Sequence, residues 1–159
     1  VKESQSATEA ALIWKGRKSA FGATGRIADY ICMDGTVPLG QLSHVLRGTA
    51  EIVAKYGLRV ANVFHAGDGN MHPLILFDAN DPEDAARAEA AGNDILKLCV
   101  DAGGCLTGEH GVGIEKRDLM RHQYSDVDLA QQMAVRAAFD PQWLLNPSKV
   151  FPLEGRPAA

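Results

Sequence analysis

Positive charge is in short supply in this chain. Its 16 Lys and Arg stand against 20 Asp and Glu, for a formal net charge of −4 at pH 7 and a pI near 5.7. Without a basic footprint, nucleic acid is excluded as an expected partner. Long apolar runs are missing as well: the uninterrupted ones are a few residues, far below the roughly 20 that a membrane-spanning helix needs. No charged-then-apolar leader opens the chain. Cys32, Cys99 and Cys105 are odd in number and follow no framework spacing. The expectation is therefore reduced thiols in a cytoplasmic compartment. Gly67-x-Gly69 and Gly111-x-Gly113 lack the third glycine and the strand-to-helix setting of a dinucleotide loop. Repeats, linkers and low-complexity tracts are missing too, apart from the short tail Gly155-Arg-Pro-Ala-Ala. What remains is ordinary: 159 residues, 46% hydrophobic and 23% charged, enough for one domain with a real core.

A pass along the chain gives one architecture. Residues 5–20 read as a helix with an apolar stripe from Ala, Leu, Ile and Trp14. Ile27–Met33 reads as a strand that ends at a turn, Asp34-Gly35. Pro38 opens a helix whose Leu42, Val45, Leu46, Ile52 and Val53 share one face as far as Lys55. Strands follow at 59–66 and 71–77. Asp81-Pro82-Glu83-Asp84 caps a helix that runs to about Ala102, where Gly103-Gly104 stops it before a strand at 105–107. Strand, helix, strand, strand, helix, strand is the split βαβ order of a ferredoxin-like antiparallel sheet, an α+β fold. Further C-terminal helices are expected near 113–122 and 126–139. Cys105 is expected in the core, and His44 and His122 on helix surfaces.

The richest segment is His65-Ala-Gly-Asp-Gly-Asn-Met-His72, flanked by apolar runs on both sides. Asp68-Gly69 favours a two-residue turn, in which both positions take positive φ. That turn pairs Gly67 with Asn70, Ala66 with Met71, and His65 with His72. Directly opposed residues have Cβ atoms about 4.5–5.5 Å apart, close enough for both imidazoles to hold one ion. The candidate third ligand is Glu109 in Thr107-Gly-Glu-His-Gly111, where glycines permit a sharp turn and a close approach. Two histidines and a carboxylate leave coordination positions open, which suits a catalytic divalent cation such as zinc, manganese or ferrous iron. Asp68 is read as a turn residue only.

These motifs, followed by Leu145-Asn-Pro-Ser-Lys149, resemble the C-terminal domain of FAD-linked 2-hydroxy-acid oxidoreductases. That family includes the glycolate oxidase flavin subunit, the nearest in motif, D-lactate dehydrogenases and D-2-hydroxyglutarate dehydrogenase. The resemblance runs from about Trp14 to Pro152. It implies His65, His72 and Glu109 as metal ligands and His110 beside the substrate hydroxyl as proton acceptor or hydrogen-bond partner. It implies Arg17 as the grip on the substrate carboxylate, and Asn146 and Lys149 where the C-terminal segment meets the flavin domain. A small 2-hydroxy acid, an FAD-binding domain of the same parent chain and an electron-acceptor subunit are the partners it implies. Two positions depart from the pattern. Leu74 stands where some relatives have a substrate-contacting Asn, which argues against a polar-tailed substrate. Ser148 replaces the glycine of the usual Asn-Pro-Gly-Lys. The family binds FAD through a separate domain, for which 159 residues leave no candidate. The first residue, Val1, adds to the expectation of a fragment that is inactive by itself.

The chemistry that the resemblance implies follows from 2-hydroxy-acid oxidation. Hydride leaves the α-carbon for the flavin while a base takes the hydroxyl proton. A cation lowers the cost of the alkoxide, and an imidazole can accept a proton at neutral pH. An arginine holds a carboxylate through two parallel hydrogen bonds. Plainer readings stand beside each residue: His65 as a packed sheet histidine, Glu109 as a helix-capping carboxylate, His110 as a group behind the ligands or facing the flavin, and Arg17 as solvated surface. Two other functions use the same ligands, a stand-alone hydrolase or oxygenase and a non-catalytic metal-binding module. Neither has a use for Asn-Pro-Ser-Lys.

Overall fold

The computed structural model describes residues 3–153, so the Gly155–Ala159 tail lies outside the described residues. In chain order the elements are α1 (Ala7–Lys18), α2 (Ala20–Thr24), β1 (Asp29–Cys32), β2 (Gly35–Thr36), α3 (Leu42–Lys55), β3 (Arg59–Asn62), β4 (Asn70–Met71), β5 (Pro73–Phe77), α4 (Pro82–Asp101), α5 (Met120–Gln123) and α6 (Asp126–Phe139). β1 and β3 flank β5, both antiparallel, and β2 pairs antiparallel with β4. The β1–β5 and β2–β4 registers continue each other, so Asp34 stands opposite His72 across one long strand pair. On the far side Thr36 bridges Cys105, again antiparallel. The order is fourth, first, third, second, the ferredoxin-like arrangement.

Alternation along β5 sorts its side chains onto two faces. Ile75 packs with Met33, Val45, Val53, Ile95 and Leu96 in the core beneath α3 and α4. Leu74 and His72 take the opposite face, with Leu74 fully buried. Small residues bring α4 close to the sheet: Ala88, Ala91 and Gly92 are buried, and a Cβ at Gly92 would sit 2.7 Å from Met33 Sδ. Asp81 caps α4 by accepting from the Glu83 N–H, and Tyr56 at the end of α3 donates to Asp94 on α4. α6 begins at a capping box, Ser125 with Asp128. Among the described residues, no helix is long and apolar enough to cross a membrane.

Several expected elements come out differently. The segment 105–107 makes only the Cys105 bridge, because Thr107 onward is drawn into side-chain bonds. Cys105 itself is exposed, and its neighbour Leu106 fills the core instead. Residues 113–122 form no single helix: Gly113 has φ +58°, and only a 3-10 turn at Arg117–Leu119 and the short α5 follow. Asp34-Gly35 is not a turn but the continuation of the strand. Pro38 precedes a 3-10 turn at Leu39–Gln41, with α3 starting after it. α1 buries none of its residues, so its Leu12, Ile13 and Trp14 face outward. His44 and His122 are exposed, as expected.

Candidate functional site

The hairpin turn differs from the two-residue expectation. Of Asp68 and Gly69 only Gly69 has positive φ, at +68°, whereas a two-residue turn of that type needs both. The loop is instead Ala66–Gly69, with the Asp68 N–H donating to the His65 carbonyl at 3.1 Å. Gly69 is held against the neighbouring strand: its carbonyl accepts from the Val37 N–H at 2.9 Å, and a Cβ there would lie 2.1 Å from the Val37 oxygen. His65 therefore pairs with Asn70, and Val63 donates to the His72 carbonyl. The register is displaced by two residues, an even number, so both histidines keep the same face. They become diagonal neighbours, ring centroids 5.5 Å apart and nearly perpendicular.

Glu109 reaches this pair from a distant segment. Its Oε1 lies 3.1 Å from His72 Nε2 and 3.8 Å from His65 Nε2. Ligand atoms around one cation at ordinary bond lengths are separated by about 3 to 3.5 Å, so the spacing suits a shared ion. His72 is 3% exposed, and neither of its ring nitrogens has a hydrogen-bond partner. Buried polar atoms of this kind normally find a partner. Burial, then the neighbouring His110, lowers the His72 pKa, with Asp34 and Glu109 opposing. Neutral imidazole is the form that binds metal.

His110 stacks on His72, ring centroids 5.0 Å apart and planes 6° from parallel. Asp34, His72, Glu109 and His110 each offer a ligand atom, all within 4.8 Å of one another. His65 stands outside that tight group, half-exposed at its rim. Asp34 was read from sequence as a turn residue, and its place here was missed. The strand parity it shares with Tyr30 and Cys32 was a signal, but Asp-Gly is a stronger one for a turn.

Asp34 is fully buried. Its Oδ2 accepts from the Thr107 hydroxyl at 2.7 Å and from the backbone N–H groups of Gly108, Glu109 and His110 at 3.0, 3.1 and 2.8 Å. Lys116 Nζ, also buried, lies 3.4 Å away. Burial alone would raise the Asp34 pKa, but the His110 N–H, the Thr107 hydroxyl, Lys116 and the Glu109 N–H hold it well below the usual carboxylate range. Lys116 and Thr107 were also missed, for want of any local motif. Gly108 admits no side chain, because a Cβ would sit 2.7 Å from the Asn70 amide.

Arg17 is half-buried at the end of α1 and donates to the Phe64 carbonyl at 3.5 Å, one residue before His65. Asn146 and Lys149 are exposed, with Lys149 Nζ 3.5 Å from Asn146 Oδ1. Lys149 shares the wall of a cavity of about 300 Å³ with His110, Cys32 and Lys116. Trp143, Asn146, Ser148 and Val150 all have positive φ, and Ser148, at +65°, occupies the position where the family motif usually has glycine. Burial and then Asp34 push the Cys32 thiol up to about 11, away from the thiolate form.

The sequence profile described as "FAD linked oxidases, C-terminal domain" matches residues 1–150. The chain belongs to that family. It is 56% identical over 153 residues to the glycolate oxidase subunit GlcD of Escherichia coli K12, covering 96% of this chain and 31% of that protein. It is 34% identical to the GlcD subunit of Bacillus subtilis over 157 residues, 98% of this chain and 33% of that protein. A mitochondrial D-lactate dehydrogenase [cytochrome] of Kluyveromyces lactis is 35% identical over 149 residues, 89% of this chain and 25% of that protein. The chain thus spans about a third of the length of the curated glycolate oxidase subunits it matches. Within this C-terminal domain of an FAD-linked oxidase, the polar cluster lies on the sheet face away from α3 and α4.

Proposed function

We propose that this chain is the substrate- and metal-binding domain of a flavin-dependent oxidoreductase that converts a small 2-hydroxy acid, of the glycolate or D-lactate type, to the 2-oxo acid. The observation that carries the reading is His72, buried, with no hydrogen bond at either ring nitrogen and with Nε2 facing the Glu109 and Asp34 carboxylates at 3.1 and 3.4 Å. Such a group is costly to keep unless something binds it. His65, His72 and Glu109 would hold a divalent cation, with zinc, manganese and ferrous iron all compatible with those ligands. When bound, the cation would lower the cost of the substrate alkoxide, and FAD, held mainly by another domain of the parent protein, would accept the hydride.

The chain's own residues do the rest. His110, stacked parallel to His72, presents a ring nitrogen beside the ligands and takes the substrate hydroxyl proton. Arg17 grips the substrate carboxylate and so fixes which face of the α-carbon points away from the domain. The cavity beside His110 has room for a small acid. Leu74, fully buried on the His72 face, offers a polar substrate tail nothing to bond. Asn146 and Lys149 meet the flavin domain, and the exposed Leu144 and Leu145, which precede Asn146 in the chain, supply apolar area for that contact. An electron-acceptor subunit is a further partner of the parent protein.

The test is anaerobic mixing of the full-length protein with D- and L-2-hydroxy acids of increasing chain length while flavin absorbance is followed. Bleaching with a short 2-hydroxy acid, lost after chelation and restored by a divalent cation, is the expected result. No bleaching with any of them removes the reading, and bleaching indifferent to chelation removes the cation's role.

A further inference from the structure

We propose that Asp34 is the positioning residue of this site: its buried carboxylate gathers the Thr107 hydroxyl and three successive backbone N–H groups, and so sets the direction in which Glu109 and His110 leave the chain. The inference deepens the functional reading above and rests on it for the part that concerns metal and substrate. Its geometric part stands alone.

Residues 107–111 have almost no regular structure to hold them. The strand expected there is a single bridge at Cys105, and the following helix is broken. Yet this stretch supplies a ligand and a base that must be placed to within about half an ångström. Hydrogen bonds to Asp34 replace the missing ladder. The contacts at 2.7 to 3.1 Å from Thr107, Gly108, Glu109 and His110 converge on the one oxygen, Oδ2. Successive N–H groups aimed at one anion form a concave nest, here filled by the protein's own carboxylate. Thr107 closes the ring: its hydroxyl donates to Asp34 and accepts from the Gly111 N–H at 2.8 Å. Gly108 N–H reaches the Asp34 backbone carbonyl as well, at 3.0 Å.

The second oxygen shares the Glu109 N–H, at 3.2 Å, and also faces the hairpin. Asp34 Oδ1 lies 3.4 Å from His72 Nε2, so one carboxylate touches both the loop and the buried histidine. Strand register puts Asp34 opposite His72, and Lys116 balances its charge from behind. Asp34 thereby ties the hairpin ligand to the Glu109 loop, although those segments lie far apart in sequence. Charge-assisted bonds in a buried setting are the strong kind, and this carboxylate makes several.

The experiment compares the full-length, flavin-loaded protein with Asp34→Asn, Thr107→Val and Thr107→Ser. Amide hydrogen exchange at 108–110, the dissociation constant for added zinc or manganese, and kcat and KM for the best 2-hydroxy acid are measured on each. Asp34→Asn should speed exchange at those three amides, weaken metal binding by roughly 10- to 100-fold, and lower kcat more than it raises KM. Thr107→Val should show the same pattern more weakly, and Thr107→Ser, which keeps the hydroxyl, should recover most of the loss. If Asp34→Asn does not fold, the two Thr107 variants carry the test. Exchange and metal affinity within twofold of wild type in Asp34→Asn, or no difference between the Val and Ser variants, overturns the assignment. If the unsubstituted protein binds no divalent cation and oxidises no 2-hydroxy acid, the functional reading fails. The exchange comparison then decides the role of Asp34 by itself.

Discussion

The inner corner of the site and its outer rim are built on opposite principles. At the inner corner His72 and Asp34 are buried, and each strand and loop there is tied to another by several bonds. Glu109 belongs to the corner through its N–H on Asp34 and its carboxylate on His72, although its side chain is 54% exposed. At the rim the His65 side chain is 49% exposed and Arg17 makes one long bond to the Phe64 carbonyl. Farther out, Asn146 and Lys149 sit on an exposed segment with several positive-φ residues. The contrast separates two tasks. On the proposed reading the corner would fix where a cation and a proton acceptor belong, whereas the rim would be surface that a substrate or another domain completes.

Replacing residues on either side of that divide tests it, and the largest effect belongs to the corner. His72→Ala or Glu109→Gln in the full-length protein should weaken divalent-metal binding more than about a hundredfold, beyond the usual cost of losing a residue behind the ligands, and reduce hydroxy-acid turnover in step. Metal analysis and steady-state kinetics read both. His65→Ala should cost less, about tenfold in metal affinity, because its ring is half-exposed and farther from Glu109. Equal losses for His65 and His72 would erase the distinction between corner and rim.

How much of this was legible in the sequence depends on the kind of signal each residue leaves. The helices 42–55, 82–101 and 126–139 announce themselves by periodicity and caps, and the strands by apolar alternation between turns. The His65–His72 pair was legible through parity: the expected register was wrong by two, but an even slip leaves side chains on the same face. The true turn was hidden because Gly69 answers to Val37, a residue 32 positions earlier in the sequence. Glu109 was suggested by its glycine-rich setting, yet nothing local could show that it reaches His72. Asp34 was illegible for the same reason, since its partners at 107–110 and 116 appear only when the sheet is assembled. α1 misled in the other direction, for its apolar residues suggested packing that the described residues do not provide.

Acid should expose the corner next. Asp34 is held below its ordinary pKa, so its contribution is fully present above the unfolded value, about 4, and is lost as pH falls toward the folded one. Unfolding of the wild-type protein by denaturant should therefore weaken by up to about 1.4 kcal/mol per pH unit below pH 4 on account of this group. The same series on Asp34→Asn should be flatter by that slope, and parallel curves would mean that the carboxylate is not held as described. The smallest effect is expected at the rim. Ser148→Gly relieves a non-glycine residue at φ +65° and should raise stability by about 1 kcal/mol, read as a shift in thermal midpoint with metal binding unchanged. A lower midpoint would mean that the serine side chain stabilises this segment.

The central claim is that His72, buried beside two carboxylates with no hydrogen bond to its ring, exists to bind a cation with Glu109. It is tested most directly by following the imidazole nitrogens of the full-length protein, labelled with nitrogen-15 at histidine, as zinc is added. Saturation at one equivalent per chain, with one His72 ring nitrogen shifting and the effect gone in Glu109→Gln, is the predicted result. His72 resonances that stay in place through several equivalents would contradict it.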